Sequence, residues 1–111
     1  EAYNILNSLY QNVNKVKDSR GFDFLCDEEY IEVKSYSFNK RIFISINQIE
    51  TMSLNRDKYK LFLYNRDTEG YTIIEKPLKI LGIILKEIIE PKGVNSNISI
   101  EKIKVNIEDI I

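Results

Sequence analysis

Histidine is absent from the 111 residues, and its absence excludes a histidine general base, a Ser-His-Asp triad and a His-ligated zinc site. Cysteine occurs once, as Cys26, so no internal disulfide can form; a reducing, intracellular setting is expected, with Cys26 as a core residue. Long apolar runs are missing too. The stretch from Ile80 to Leu85 is broken by Gly82 and flanked by lysines, well short of the roughly 18 apolar residues that span a bilayer. Neither a membrane segment nor a signal peptide is expected. An excess of positive charge is also lacking, since 16 Lys and Arg stand against 17 Asp and Glu, for a formal net charge of −1. Binding nucleic acid by bulk electrostatics alone is therefore disfavoured, because neutralising several phosphates takes clustered cations; any basic surface must be local.

What is present, 43% hydrophobic and 30% charged residues, describes one soluble globular domain with a core of ordinary size. Glu1 already sits inside a helical pattern, so the chain reads as a domain cut from a longer polypeptide. Ala2, Ile5, Leu6, Leu9, Val13 and Val16 recur at helical spacing. The polar segment from Lys17 to Gly21 stops that helix, and Phe22 to Cys26 reads as a strand, followed by a tight turn over Asp27 to Glu29. From Tyr30 to Tyr36, Ile31 and Val33 alternate with Glu32 and Lys34, the period of a strand with one face in the core. Ile42, Ile44 and Ile46 repeat that signal. Ser45 and Gln48 have capping-box spacing, so a helix begins there and runs towards Asn55 with Ile49 and Met52 inward. Tyr59 to Tyr64 and Tyr71 to Glu75 form a hairpin around the turn-rich Asn65 to Gly70. Leu78 to Ile89 leans to helix, Pro91 to Asn97 is a loop, and Ile98 to Ile107 suggests a final strand. The glycosylation sequon Asn97-Ile98-Ser99 is read as a chance match.

Side chains two apart on a strand share a face, so Glu32 and Lys34 point together, away from Ile31 and Val33. A two-residue loop at Glu28 and Glu29 pairs Phe24 with Val33 and Asp23 with Lys34. The apolar residues then share one face, and Asp23, Glu32 and Lys34 share the other. Glu-Glu is not a favoured turn, and a longer even-numbered loop serves the same faces. Two carboxylates and an ammonium on one patch suit phosphodiester hydrolysis. The carboxylates are hard oxygen ligands for Mg²⁺ or Mn²⁺, the cation activates a water, and the lysine orients that water or stabilises charge on the phosphate.

The segments Gly21-Phe22-Asp23, Tyr30-Ile31-Glu32-Val33-Lys34-Ser35 and Phe43-Ile44-Ser45-Ile46-Asn47-Gln48 resemble the PD-(D/E)xK nuclease superfamily. Within it the pattern is most similar to the restriction-endonuclease-like domain at the C-terminus of the plant protein NO VEIN and in many prokaryotic restriction and defence proteins. The resemblance covers residues 1–75 and leaves 76–111 as an extension. It implies an α/β fold, a mixed central sheet of about five strands flanked by helices. It further implies metal held by Asp23, Glu32 and the backbone carbonyl of Val33, with Lys34 catalytic. Gln48 stands where related domains place a residue that touches the attacking water or DNA, and Glu1 where a first-helix acid completes the metal site. Phe22 departs from the Pro that often precedes the first acid.

Each of these has a plainer reading. An E-x-K triplet also arises on a solvated strand face, Gln48 is explained by its capping box, and Glu1 by a helix dipole. Lys15, Lys17 and Arg20, and separately Lys40 and Arg41, are candidate phosphate contacts, set against an ordinary charged surface. The sequence thus predicts a Mg²⁺-dependent endonuclease domain acting on DNA, with RNA not excluded, in restriction, defence or DNA processing. Other domains or a homodimer partner are expected to supply affinity and second-strand cleavage. The alternative is a catalytically inactive nuclease-fold module for nucleic-acid binding or protein assembly.

Overall fold

The structure, a computed structural model, describes residues 1–17, 20–82 and 102–111. Helix α1 (Ala2–Leu9) is followed by strands β1 (Val13–Lys15), β2 (Phe24–Cys26), β3 (Glu29–Tyr36) and β4 (Arg41–Ser45). Helix α2 (Ile46–Leu54) leads into β5 (Tyr59–Asn65) and β6 (Tyr71–Glu75), and β7 (Lys102–Asn106) precedes a final 3-10 turn, Ile107–Asp109. A five-stranded sheet has the order β1-β2-β3-β5-β6, and β4 leaves it to pair with β7 in a separate two-stranded ribbon. The β3–β5 pair is parallel while its neighbours are antiparallel. A parallel pair needs a crossover, which β4 and α2 supply. The expected α/β architecture with a mixed sheet is therefore present.

Alternation along β3 divides the interior into two layers. Leu6 of α1 packs with Phe24, Cys26, Ile31 and Phe62 on one face. Met52 of α2, with Ile42, Ile44, Ile103 and Val105 from the ribbon, covers Tyr36, Tyr59, Leu61 and Leu63 on the other. Cys26 is buried, as expected of a core residue, and burial followed by the neighbouring Asp27 and Glu29 charges pushes its thiol up to about 11.

Three local expectations change. Helix α1 stops at Leu9 instead of continuing to Val16. Gln11 and Asn12 donate their backbone N–H groups to the Asp27 carboxylate, both at 2.8 Å. This turns the chain out of the helix, so that Val13 pairs with Cys26 as an edge strand. The β2–β3 register also differs: Phe24 faces Ile31 and Cys26 faces Glu29, which makes Asp27 and Glu28 the two-residue loop. Both take left-handed φ values, 47° and 78°, the backbone of a type I′ hairpin, where Asp is better suited than Glu to the first position. The slip of two residues from the expected register leaves every side chain on its expected face.

The capping box at α2 is present in both directions, Ser45 accepting from the Gln48 N–H and Gln48 from the Ser45 N–H. The β5–β6 hairpin forms as expected, with Tyr64 opposite Tyr71. Residues 77–82 are helical; the remainder of the expected helix to Ile89, the loop from Pro91 to Asn97, the sequon and the start of the last strand lie outside the described residues.

Candidate functional site

Beyond Phe24 the β2–β3 ladder is completed by a side chain. The Asp23 N–H donates to the Ile31 carbonyl at 2.9 Å, and the next donor along β3, the Val33 N–H, goes to Asp23 Oδ2 at 2.8 Å. A carboxylate thus stands in for a backbone carbonyl where the two strands part. On the other edge, the Asp23 carbonyl accepts from the Val16 N–H at 2.9 Å. Upstream, Gly21 presses against α2 with φ 81°: a Cβ there would lie 2.1 Å from Thr51 Oγ1 and 3.0 Å from the Asn47 carbonyl oxygen. Only glycine fits that approach. The Gly21 carbonyl accepts a hydrogen bond from the buried Tyr59 hydroxyl, which fixes the segment leading to Asp23 from below.

Glu32, at the middle of β3, is 4% exposed and is the buried charged residue among those described. Its Oε2 receives the Lys34 ammonium at 3.2 Å and the Gln48 carboxamide N–H at 3.0 Å. Gln48 therefore forms its capping box and also contacts Glu32. Its Oε1 accepts from the Ser45 N–H at 2.9 Å while its Nε2 reaches the acid. Burial raises the Glu32 pKa most, the Lys34 ammonium opposes that, and Asp23 adds to it by charge and hydrogen bonding; the result is about 7. The Tyr59 hydroxyl is pushed far up by burial and by the same two carboxylates. Across the parallel pair, Glu32 and Lys34 lie beside Leu61 and Leu63, so an apolar strand forms the floor on which these charges sit. The arrangement is a desolvated carboxylate next to a second carboxylate, one lysine within ion-pair distance, and a carboxamide anchored to a helix N-terminus.

The structure brings Asp23, Glu32, Lys34 and Gln48 together. Val33 lies between two of them, its N–H bound to Asp23 and its side chain packed in the α1 layer. Glu1 is elsewhere: it is the N-cap of α1, exposed, with its charge acting on Tyr64, a residue of the α1 layer. Lys15, Lys17 and Arg20 are exposed along and after the β1 edge. Lys40 is tied to Glu108 at 3.2 Å, whereas Arg41 opens β4 on its exposed side. Tyr59 was missed by the sequence reading, because a tyrosine opening an apolar strand carries no mark of what its hydroxyl meets.

No described helix is long and apolar enough to cross a membrane. Residues 2–74 match the family described as Protein NO VEIN, C-terminal. No curated protein and no solved structure gives a match.

Proposed function

The chain belongs to the NO VEIN C-terminal family, and we propose that it is a metal-dependent nuclease domain of the PD-(D/E)xK type that hydrolyses DNA phosphodiester bonds inside the cell. One observation carries this reading: Glu32, almost fully buried, shares its pocket with Asp23 and holds Lys34 at 3.2 Å. The Asp23 carboxylate closes the β2–β3 ladder through the Val33 N–H and also sets a second negative charge beside Glu32. Burial and the Asp23 charge both work against ionising Glu32, and a divalent cation between the two acids removes the repulsion.

The donor set fits Mg²⁺ or Mn²⁺, since two carboxylates and the Val33 carbonyl are hard oxygen ligands and such ions keep several waters. Among the described residues no three acidic or cysteine side chains assemble as a metal group, so the remaining ligands would be water and phosphate. When bound, the cation supplies Lewis acidity and a water of lowered pKa. Lys34, 3.2 Å from Glu32, would orient that water and neutralise charge developing on the phosphate oxygens. Gln48 holds Oε2 of Glu32 in place, which fixes the rotamer of the acid. Asp23 is fixed by the Val33 N–H.

A single site of this kind cuts one strand, so double-strand cleavage takes a second copy or successive nicks, and other domains or a partner copy supply much of the affinity. RNA is the second candidate substrate, and restriction, defence or DNA processing the expected setting. An inactive module for nucleic-acid binding or assembly is the competing reading, favoured by the fact that Lys34 and Gln48 already satisfy Glu32 Oε2. Conversion of supercoiled plasmid, and of labelled DNA and RNA oligonucleotides, with Mg²⁺ or Mn²⁺ decides between them. The nuclease reading predicts metal-dependent nicking that Lys34→Ala abolishes. Equal activity in both proteins, or none in the parent alone and in the full-length polypeptide, would favour the inactive module.

A further inference from the structure

The pairing of β4 with β7 places Arg41 opposite Asn106, Phe43 opposite Lys104, and Ser45 opposite Lys102. Ile42, Ile44, Ile103 and Val105 turn into the core, which leaves the other set of alternating side chains facing outwards. That outer face carries Arg41, Lys102 and Lys104 around a phenylalanine ring that is 49% exposed. Neither strand contains an acid. In sequence Glu101 directly precedes β7, and Glu108 and Asp109 lie in the turn after it, where Glu108 is engaged by Lys40 at 3.2 Å. In a chain whose formal net charge is −1, three cations and no carboxylate among the paired residues Arg41–Ser45 and Lys102–Asn106 make a local excess of positive charge on this face.

Folding does not account for this face. Cross-strand neighbours stabilise a sheet when charges of opposite sign meet, and like charges gathered on one face do the reverse. Phe43 leaves about half its surface open there, with Lys102 Nζ 4.9 Å from its ring centroid. Cations interleaved with an available aromatic ring are what a single-stranded nucleic acid uses: ammonium and guanidinium groups for the phosphates, a ring for an unpaired base. The ribbon is about 14 Å long, enough to follow a few nucleotides. Its Ser45–Lys102 end is also where α2 begins and where Gln48 reaches Glu32.

We propose that the outer face of the β4–β7 ribbon, through Arg41, Phe43, Lys102 and Lys104, is a binding surface for single-stranded nucleic acid. Half of it comes from β4, inside the residues 2–74 matched by the family, and half from β7, beyond them. The proposal shares its class of ligand with the nuclease reading. It is tested in EDTA by binding alone, so that the two can fail separately.

Fluorescence anisotropy of the 111-residue chain with a labelled single-stranded oligonucleotide, a matched duplex and phosphatidylserine vesicles reads the surface directly. Lys102→Ala/Lys104→Ala is expected to weaken single-strand binding roughly tenfold and to lower the salt slope by about 1.4. Phe43→Ala is expected to weaken it about tenfold, and Phe43→Tyr to restore it, since the ring is what stacks. All these side chains point away from the core, and circular dichroism checks that each variant is folded. Lys60→Met, on the opposite face of the sheet, should bind like the parent. Unchanged affinity and salt slope in the folded variants would overturn the proposal, as would binding of vesicles but not oligonucleotides through the same residues. Duplex binding as tight as single-strand binding and insensitive to Phe43→Ala would overturn it as well.

Discussion

Two lysine–glutamate clusters lie on opposite faces of the sheet, one spanning β3, β5 and β6 and the other within β3. On the α1 face Lys60 lies between Glu29 and Glu75, hydrogen-bonded to both. Burial opposes the Lys60 charge, but the bonds to the two carboxylates and the nearby Tyr10 and Glu29 outweigh it and raise the ammonium to about 12. On the α2 face Lys34 has one carboxylate at 3.2 Å, and that carboxylate is buried against a second acid and raised to about 7. In the first cluster the lysine is the central charge and its partners reach water. In the second the acid is central, deeper, and beside a charge of its own sign. The difference separates a lysine neutralised by two carboxylates across neighbouring strands from a buried acid that meets one lysine and a second acid.

The widest separation is expected in activity. Glu32→Gln should lower metal-dependent cleavage by about 10²–10³-fold, the usual cost of removing one group that acts on the transition state. Lys60→Met should leave the rate of the folded protein within about twofold, while losing on the order of 1 kcal/mol of stability. Next is the glycine that lets Asp23 approach α2. Gly21→Ala adds a left-handed φ penalty to a contact with Thr51, and should cost about 2–4 kcal/mol in urea unfolding.

The pH dependence of stability should then tell the clusters apart. For Glu32 the folded protein holds its proton more tightly than the unfolded chain, so metal-free stability falls as pH rises from 4.5 to about 7. The loss is on the order of 2–3 kcal/mol at most, and Glu32→Gln should remove that slope. For Lys60 the sign is the same but the window is different: its contribution is complete below 10.5 and disappears as pH rises through about 12. The smallest effect belongs to the hairpin that sets both faces. Glu28 adopts φ 78° without being glycine, and Glu28→Gly should stabilise by about 1 kcal/mol in thermal unfolding without moving either cluster.

Much of the α2-face site was legible because it depends on local periods. The alternation of Ile31 and Val33 with Glu32 and Lys34 gives the face, and Ser45 with Gln48 gives the helix start that delivers a carboxamide to the acid. The register was misjudged by two residues because the choice between Asp27-Glu28 and Glu28-Glu29 rests on left-handed φ at the first loop position, which the hydrophobic pattern does not report. Helix α1 was drawn too long because Val13 and Val16 satisfy a helical spacing as well as an edge strand, and the decision is made by Asp27, distant in sequence. The partner of β4 was not legible at all. Periodicity identifies strands, whereas pairing Phe43 with Lys104 is a long-range choice made by the core. The Lys40–Glu108 ion pair likewise joins residues far apart in sequence. Tyr59 under the two acids belongs to the same class of information.

The central claim is that the α2-face cluster, and not its counterpart across the sheet, acts on phosphodiesters. The most direct measurement is the initial rate of Mn²⁺-dependent plasmid nicking by the parent, Lys34→Ala and Lys60→Ala, each corrected for folded fraction. The account predicts a metal-dependent rate in the parent, its loss in Lys34→Ala and its retention in Lys60→Ala. A parent without metal-dependent nicking, or equal rates in all three proteins, would contradict it.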